Sequence, residues 1–140
     1  SLYLAIELSE QTKKELTVKQ LILKQKFEGE YEDPTRFHIT VRFLSDDENN
    51  SKQVIDGLKL FKEIYQPKKV EVLAKKFGKF SQGVLWIGVH NTLSLYDIKY
   101  QIEDCLKKVG YEIQSEKHKG YTPHITMAYG VNEVSEEDLK

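Results

Sequence analysis

His38-Ile39-Thr40 and His124-Ile125-Thr126 write the same three residues twice in a chain that holds four histidines and seven threonines. With that supply, threonine two places after two of the four histidines has a chance probability of roughly 1–2 %, and the shared isoleucine lowers it further. An imidazole has a reference pKa of about 6.5, so one ring can be neutral while a second is protonated near neutral pH. Two such rings on opposite sides of a phosphorus supply a base for an attacking water and an acid for a departing alkoxide. Threonine hydroxyls supply donors to the non-bridging oxygens, where negative charge grows in the transition state. This chemistry calls for no metal and no cofactor, and the sequence offers no carboxylate or cysteine cluster at ligand spacing.

The elements around the motifs must hold these groups rigidly. On a strand, side chains alternate between faces, so His38, Thr40 and Arg42 are expected on one face and Phe37, Ile39, Val41 and Phe43 on the core side. In the second copy His124 and Thr126 share a face, opposite Ile125, Met127 and Tyr129. Each motif then presents an imidazole and a hydroxyl two residue rises apart, roughly 6–7 Å.

Residues 2–8 read as a strand with Leu2, Leu4, Ile6 and Leu8 on one face. Ser9 is an N-cap for a Lys-rich helix bearing Leu16, Leu23 and Phe27. A turn-rich stretch, 28–36, leads to the strand 37–44. Ser51 is expected to cap a clearer helix, marked by Val54, Leu58, Phe61 and Tyr65 and ended by Pro67. A strand is predicted over 69–77 and an apolar one over 84–90. The next helix carries Leu95, Ile98, Ile102, Cys105, Leu106 and Val109 and stops at Gly110. A short strand near 111–115 and the strand 123–129 complete the chain.

Strand, helix, intervening segment and His-Ile-Thr strand thus occur once in each half, which predicts two related lobes with approximate two-fold symmetry. No Gly/Ser linker separates them. At 140 residues and 39 % apolar content the chain is expected to form a single domain, 1–140. The net charge of −1 gives no global attraction for nucleic acid, so a polyanion would be held by local basic groups. One cysteine, Cys105, excludes an intrachain disulfide, and no apolar run approaches a membrane span. A cytoplasmic monomer with no membrane association is the expectation.

The paired motifs resemble those of the two-histidine phosphoesterase superfamily, and within it the RNA 2′,3′-cyclic phosphodiesterase or 2′-5′ RNA ligase group. The likeness covers the opening Leu-Tyr-Leu-Ala-Ile-Glu-Leu, Phe37 to Leu44, Gly78-Lys-Phe80, Val84 to Val89 and Tyr121 to Met127. It implies an α+β fold of two duplicated lobes, with antiparallel sheets around a central cleft that carries both motifs. It also implies hydrolysis of a 2′,3′-cyclic phosphate on RNA or a nucleotide to a 2′-phosphomonoester, with 2′-5′ ligation as a side activity. By motif position His38 corresponds to the general acid and His124 to the general base, with Thr40 and Thr126 on the phosphate. Tyr129 departs from the family pattern, which often has Arg there.

Arg42 shares the His38 face and is a candidate phosphate contact. Tyr31, Phe80 and Tyr121 lie near the motifs in sequence and are candidates for stacking on a nucleobase. Trp86 and Cys105 read as core, and His90 and His118 as surface residues. Lys75, Lys76, Lys79, Lys117 and Lys119 read first as solvated faces. Two other readings remain open: a phosphodiesterase for 2′-5′-linked oligonucleotides or small cyclic phosphates, and a non-catalytic RNA- or nucleotide-binding module.

Overall fold

The computed structural model describes residues 3–44, 50–68, 72–90, 92–114, 121–132, 134–135 and 137–139. Along them run β1 (Tyr3–Glu7), α1 (Glu10–Lys26), β2 (Glu30–Tyr31), β3 (His38–Phe43), α2 (Ser51–Tyr65), β4 (Ala74–Phe80), β5 (Val84–Val89), α3 (Thr92–Lys108) and β6 (His124–Tyr129). β1 pairs with β3 in a two-stranded sheet. β2, β6, β5 and β4, in that order, form a four-stranded antiparallel sheet. The fold is α+β. In each half, the strand before the helix pairs with the His-Ile-Thr strand: β1 with β3, and β5 with β6.

Two compact units divide the chain, and neither is an N- or C-terminal half. The first gathers Ser1–Leu4, Val41–Glu71 and Asn91–Tyr121. Here α2 and α3 pack through buried Val54, Phe61, Leu95, Ile102, Cys105 and Leu106. Gly57 of α2 lies against Leu106, where a Cβ would stand 2.7 Å from Leu106 Cδ2 and 3.3 Å from its Cα. Leu106 is fully buried and its backbone cannot retreat. Alanine gains up to about 1 kcal/mol of helix propensity there, but overpacking costs about 1–3 kcal/mol. Gly57→Ala should therefore destabilise the protein by about 1 kcal/mol, read as a lowered midpoint in urea unfolding.

The second unit gathers Ala5–Thr40, Val72–His90 and Thr122–Lys140. Ser9 Oγ accepts from the Thr12 amide, as an N-cap should. α1 buries Leu16 and Leu23, and between them Gln20, which donates through Nε2 to the carbonyls of Glu32 (2.7 Å) and Met127 (3.1 Å). Lys13, also buried, donates to the Thr35 carbonyl at 2.9 Å. Leu85, Ile87, Val89, Ile125 and Met127 fill the core side of the sheet, with Phe37 and Ile39 from the β3 segment also buried.

Several expectations are corrected. The strand predicted over 69–77 runs Ala74–Phe80, because its register is set by a hairpin to β5 closed at Gly83, with φ +79°; residues 69–71 lie outside those described. Of the strand predicted near 111–115, residues 111–114 form none, and 115 lies outside those described. Their start is spent capping α3: the Gly110 amide donates to Lys107 O and the Tyr111 amide to Leu106 O, with Gly110 at φ +88°. That is the paired bonding of a Schellman cap. Phe43 and Tyr129, placed on the core side by alternation, are 63 % and 43 % exposed. Both His-Ile-Thr strands break alternation at the same point, with Val41 and Arg42, and likewise Met127 and Ala128, buried in succession. In β6 the cause is a register irregularity opposite Leu85 and Trp86.

Candidate active site

His38, Thr40, His124 and Thr126 are all half-buried and all belong to the second unit. Each histidine alternates with fully buried isoleucine, Ile39 or Ile125, so the core fixes the strand face that carries the imidazole. Both rings are held in the same way. His38 Nδ1 lies 2.8 Å from the Arg36 carbonyl, and His124 Nδ1 lies 2.7 Å from the Thr122 carbonyl. A carbonyl oxygen only accepts, so Nδ1 carries the proton in both rings. Nε2 is then the nitrogen left to take or give a proton.

The local chain explains this tether. A 3₁₀ turn, Pro34–Arg36, precedes His38, and Pro123 precedes His124. In each case the carbonyl two residues upstream comes back to the ring edge.

The surroundings of His124 are aromatic. Phe80 meets it edge-on with centroids 5.0 Å apart, and Trp86 lies at 5.9 Å. These rings exclude water, and loss of hydration holds His124 below the ordinary imidazole value near 6.5. The bond to the Thr122 carbonyl acts the other way, and the charge of His38 adds a smaller push downward. That His124 feels His38 at all places the two imidazoles within electrostatic reach of each other.

The other candidate residues divide. Phe80 is at the site. Arg42 is not available to it: its side chain is 6 % exposed, with Nη1 2.7 Å from Glu103 Oε2 and Nη2 donating to the Gln114 carbonyl. These partners belong to the first unit, where Arg42 serves the structure. Tyr121 also belongs to the first unit, packed edge-on against Tyr96 and lying under Lys99 Nζ at 4.8 Å. Tyr31 is tied to the end of α1, donating to the Phe27 carbonyl at 2.7 Å, and burial pushes its phenol pKa up. It pairs with Ala128, four residues or roughly 13 Å along β6 from His124. Lys75, Lys76 and Lys79 are exposed on β4, while His118, Lys117 and Lys119 lie outside the described residues.

Trp86, read from the sequence as core, is the residue missed. The signal was there: Leu85, Ile87 and Val89 take the core side, which leaves Trp86 on the face of Thr126, its partner in register. Among the described residues there is no group of three His, Cys, Asp or Glu side chains able to hold a metal ion.

The profile of the 2′-5′ RNA ligase superfamily matches residues 6–140. The chain belongs to that superfamily. This membership agrees with the two-histidine phosphoesterase resemblance of the paired motifs. A Thermotoga maritima protein named RNA 2′,3′-cyclic phosphodiesterase is 24 % identical over 131 residues, covering 89 % of this chain and 67 % of the relative. Among solved structures, E. coli LigT in its apo form superposes with a TM-score of 0.70 at 17 % identity, over 94 % of this chain and 73 % of LigT. LigT complexed with 3′-AMP gives 0.69 at 18 % identity, over 94 % and 71 %. TT0787 of Thermus thermophilus gives 0.65 at 16 %, over 91 % and 72 %. At these identities the structures show that this superfamily member has the LigT fold. Among its described residues, no helix is long and apolar enough to cross a membrane.

Proposed function

We propose that the protein hydrolyses the 2′,3′-cyclic phosphate of an RNA end or a nucleotide to a 2′-phosphomonoester. The observation that carries this reading is the pair of imidazoles, each tethered through Nδ1–H to a backbone carbonyl and each left with Nε2 for proton transfer. His124, held towards its neutral form by its dry aromatic surroundings, is the base. Its Nε2 takes a proton from water as the water oxygen bonds to phosphorus. The bond from phosphorus to the 3′ oxygen breaks, and His38 Nε2–H gives its proton to that oxygen. Thr40 and Thr126 donate to the non-bridging oxygens. Support for the substrate class comes from the Thermotoga maritima relative's name and from the 3′-AMP complex of LigT.

The deciding experiment is turnover of 2′,3′-cyclic AMP, a cyclic-phosphate-ended RNA and a 2′-5′-linked oligonucleotide, each with EDTA present. Release of the 2′-phosphomonoester at an undiminished rate is expected from the cyclic phosphates. Activity that vanishes in EDTA and returns with a divalent ion would sink the mechanism. Binding without turnover would make the protein a nucleotide-binding module.

A further inference from the structure

β4 changes pace beside the site. Ala74 pairs with Val89 and Phe77 with Ile87, so Lys75 and Lys76 together stand opposite the single residue Gly88. Two residues against one is a β-bulge, a device that re-aims a side chain. Ile87 and Val89 are buried on the core side, which places Ala74 and Phe77 there also and leaves Lys75 for the other face. That other face carries His124 and Thr126, whose partners in register are Gly88 and Trp86. A Cβ at Gly88 would fall 3.9 Å from the Lys75 Cβ and 3.5 Å from the Trp86 Cζ3. Lys75 therefore leaves β4 on the face of the imidazole, with only a glycine between its strand and β6. Two strand spacings, roughly 10 Å, separate the backbones of Lys75 and His124. Lys75 is exposed, and its flexible four-carbon stem carries an ammonium across most of that gap.

A cation at that place answers a need of the chemistry. Thr40 and Thr126 are neutral donors, and Arg42 is engaged by Glu103. The positive charge of a protonated His38 departs with the proton it delivers. Meanwhile the phosphate gains charge, and a monoester product carries about −1.5 to −2 at pH 7. We infer that Lys75, aimed by the bulge and given passage over Gly88, binds the substrate phosphate and balances the charge that grows on it. The inference rests on the phosphodiesterase reading of the same site and adds to it a cation that neither His-Ile-Thr motif contains. An ammonium beside a transferring phosphoryl group gives up no proton, so it favours the more highly charged transition state over the substrate. Lys79 supplies the contrast on the same strand. Its partner is Leu85, buried on the core side, so its side chain leaves β4 on the opposite face from His124.

The test compares Lys75→Gln, Lys75→Arg and Lys79→Gln with the wild-type protein. Two quantities are measured: affinity for 3′-AMP by calorimetry, and kcat/KM on 2′,3′-cyclic AMP. Lys75→Gln should lower both roughly 10–100-fold, the worth of one hydrogen bond to a charged group. Lys75→Arg should keep both within about fivefold, since a guanidinium also binds phosphate. Lys79→Gln removes an identical charge from the same strand and should change both by about twofold at most, because solvent and salt screen a charge on the far face. Unchanged values in Lys75→Gln would overturn the inference. Equal losses in Lys75→Gln and Lys79→Gln would also overturn it, by reducing the effect to general charge, as would a wild-type protein that neither binds 3′-AMP nor hydrolyses the cyclic nucleotide. The calorimetry needs no turnover. Binding of 3′-AMP that depends on Lys75, without hydrolysis of the cyclic phosphate, would therefore refute the phosphodiesterase reading while leaving the phosphate contact intact.

Discussion

His38→Ala and His124→Ala should each lower kcat roughly 10²–10⁴-fold, the usual worth of a positioned general acid or base. The fold should survive, because both rings are half-buried on the face opposite Ile39 and Ile125, which carry the packing. Thr40→Ala and Thr126→Ala should cost less, roughly 10–10³-fold, since each removes one donor among several. With one ring needed neutral and the other protonated, kcat/KM should trace a bell against pH. The sign of the acid limb follows from the site. Poor hydration of His124 favours its neutral form, so the base stays competent below pH 6.5 and that limb lies on the acid side of an ordinary imidazole. Removing His124 should flatten the acid limb, and removing His38 the alkaline limb. Near-wild-type turnover by either folded alanine variant would disprove the paired mechanism.

Arg42→Ala should destabilise the protein by about 3–5 kcal/mol and lower Tm by roughly 10 °C or more. The reason is what remains behind. Glu103, with 15 % of its side chain exposed, would be left in the first unit without its guanidinium, and the Gln114 carbonyl would lose a donor. Arg42→Lys should recover part of the loss, because one ammonium cannot reproduce a planar fork that reaches two acceptors in fixed directions. Replacing both partners, as Arg42→Met with Glu103→Leu, should restore most of the stability, since the cost lies in the orphaned charge. The double variant should hydrolyse cyclic phosphate at close to the wild-type rate. A stable double variant that is a hundredfold slower would return Arg42 to the phosphate.

Where side chains alternate or repeat at 3.6 residues, the sequence was informative. α2, α3 and the first four residues of each His-Ile-Thr strand follow their periodicity, and the Ser9 cap forms as its chemistry requires, whereas α2 takes Asn50 and not Ser51 as its N-cap. α1 was harder to read for a physical reason. Its buried positions, 13, 16, 20 and 23, keep helical spacing, but Lys13 and Gln20 occupy two of them. Lys13 Nζ and Gln20 Nε2 donate to carbonyls distant along the chain, which no local pattern announces. Arg42 misled for a related reason: strand parity placed it beside Thr40, but its partners, Glu103 and Gln114, lie more than sixty residues away. Trp86 was passed over because an apolar strand suggests core on both faces.

The carbonyl tethers of His38 and His124 make the orienting part of this site invisible to mutagenesis. Many catalytic histidines are aimed by a carboxylate, whose removal exposes its role. Here the aiming atom belongs to the main chain of Arg36 and Thr122, residues whose side chains differ in every respect. An alanine scan would leave both tethers standing and would report no residue that aims either ring. The same property frees evolution at these positions: the flanking letters can drift while the direction of each ring is inherited from the path of the backbone. Only a change of backbone chemistry, such as an ester in place of the following amide, weakens that acceptor without touching the histidine.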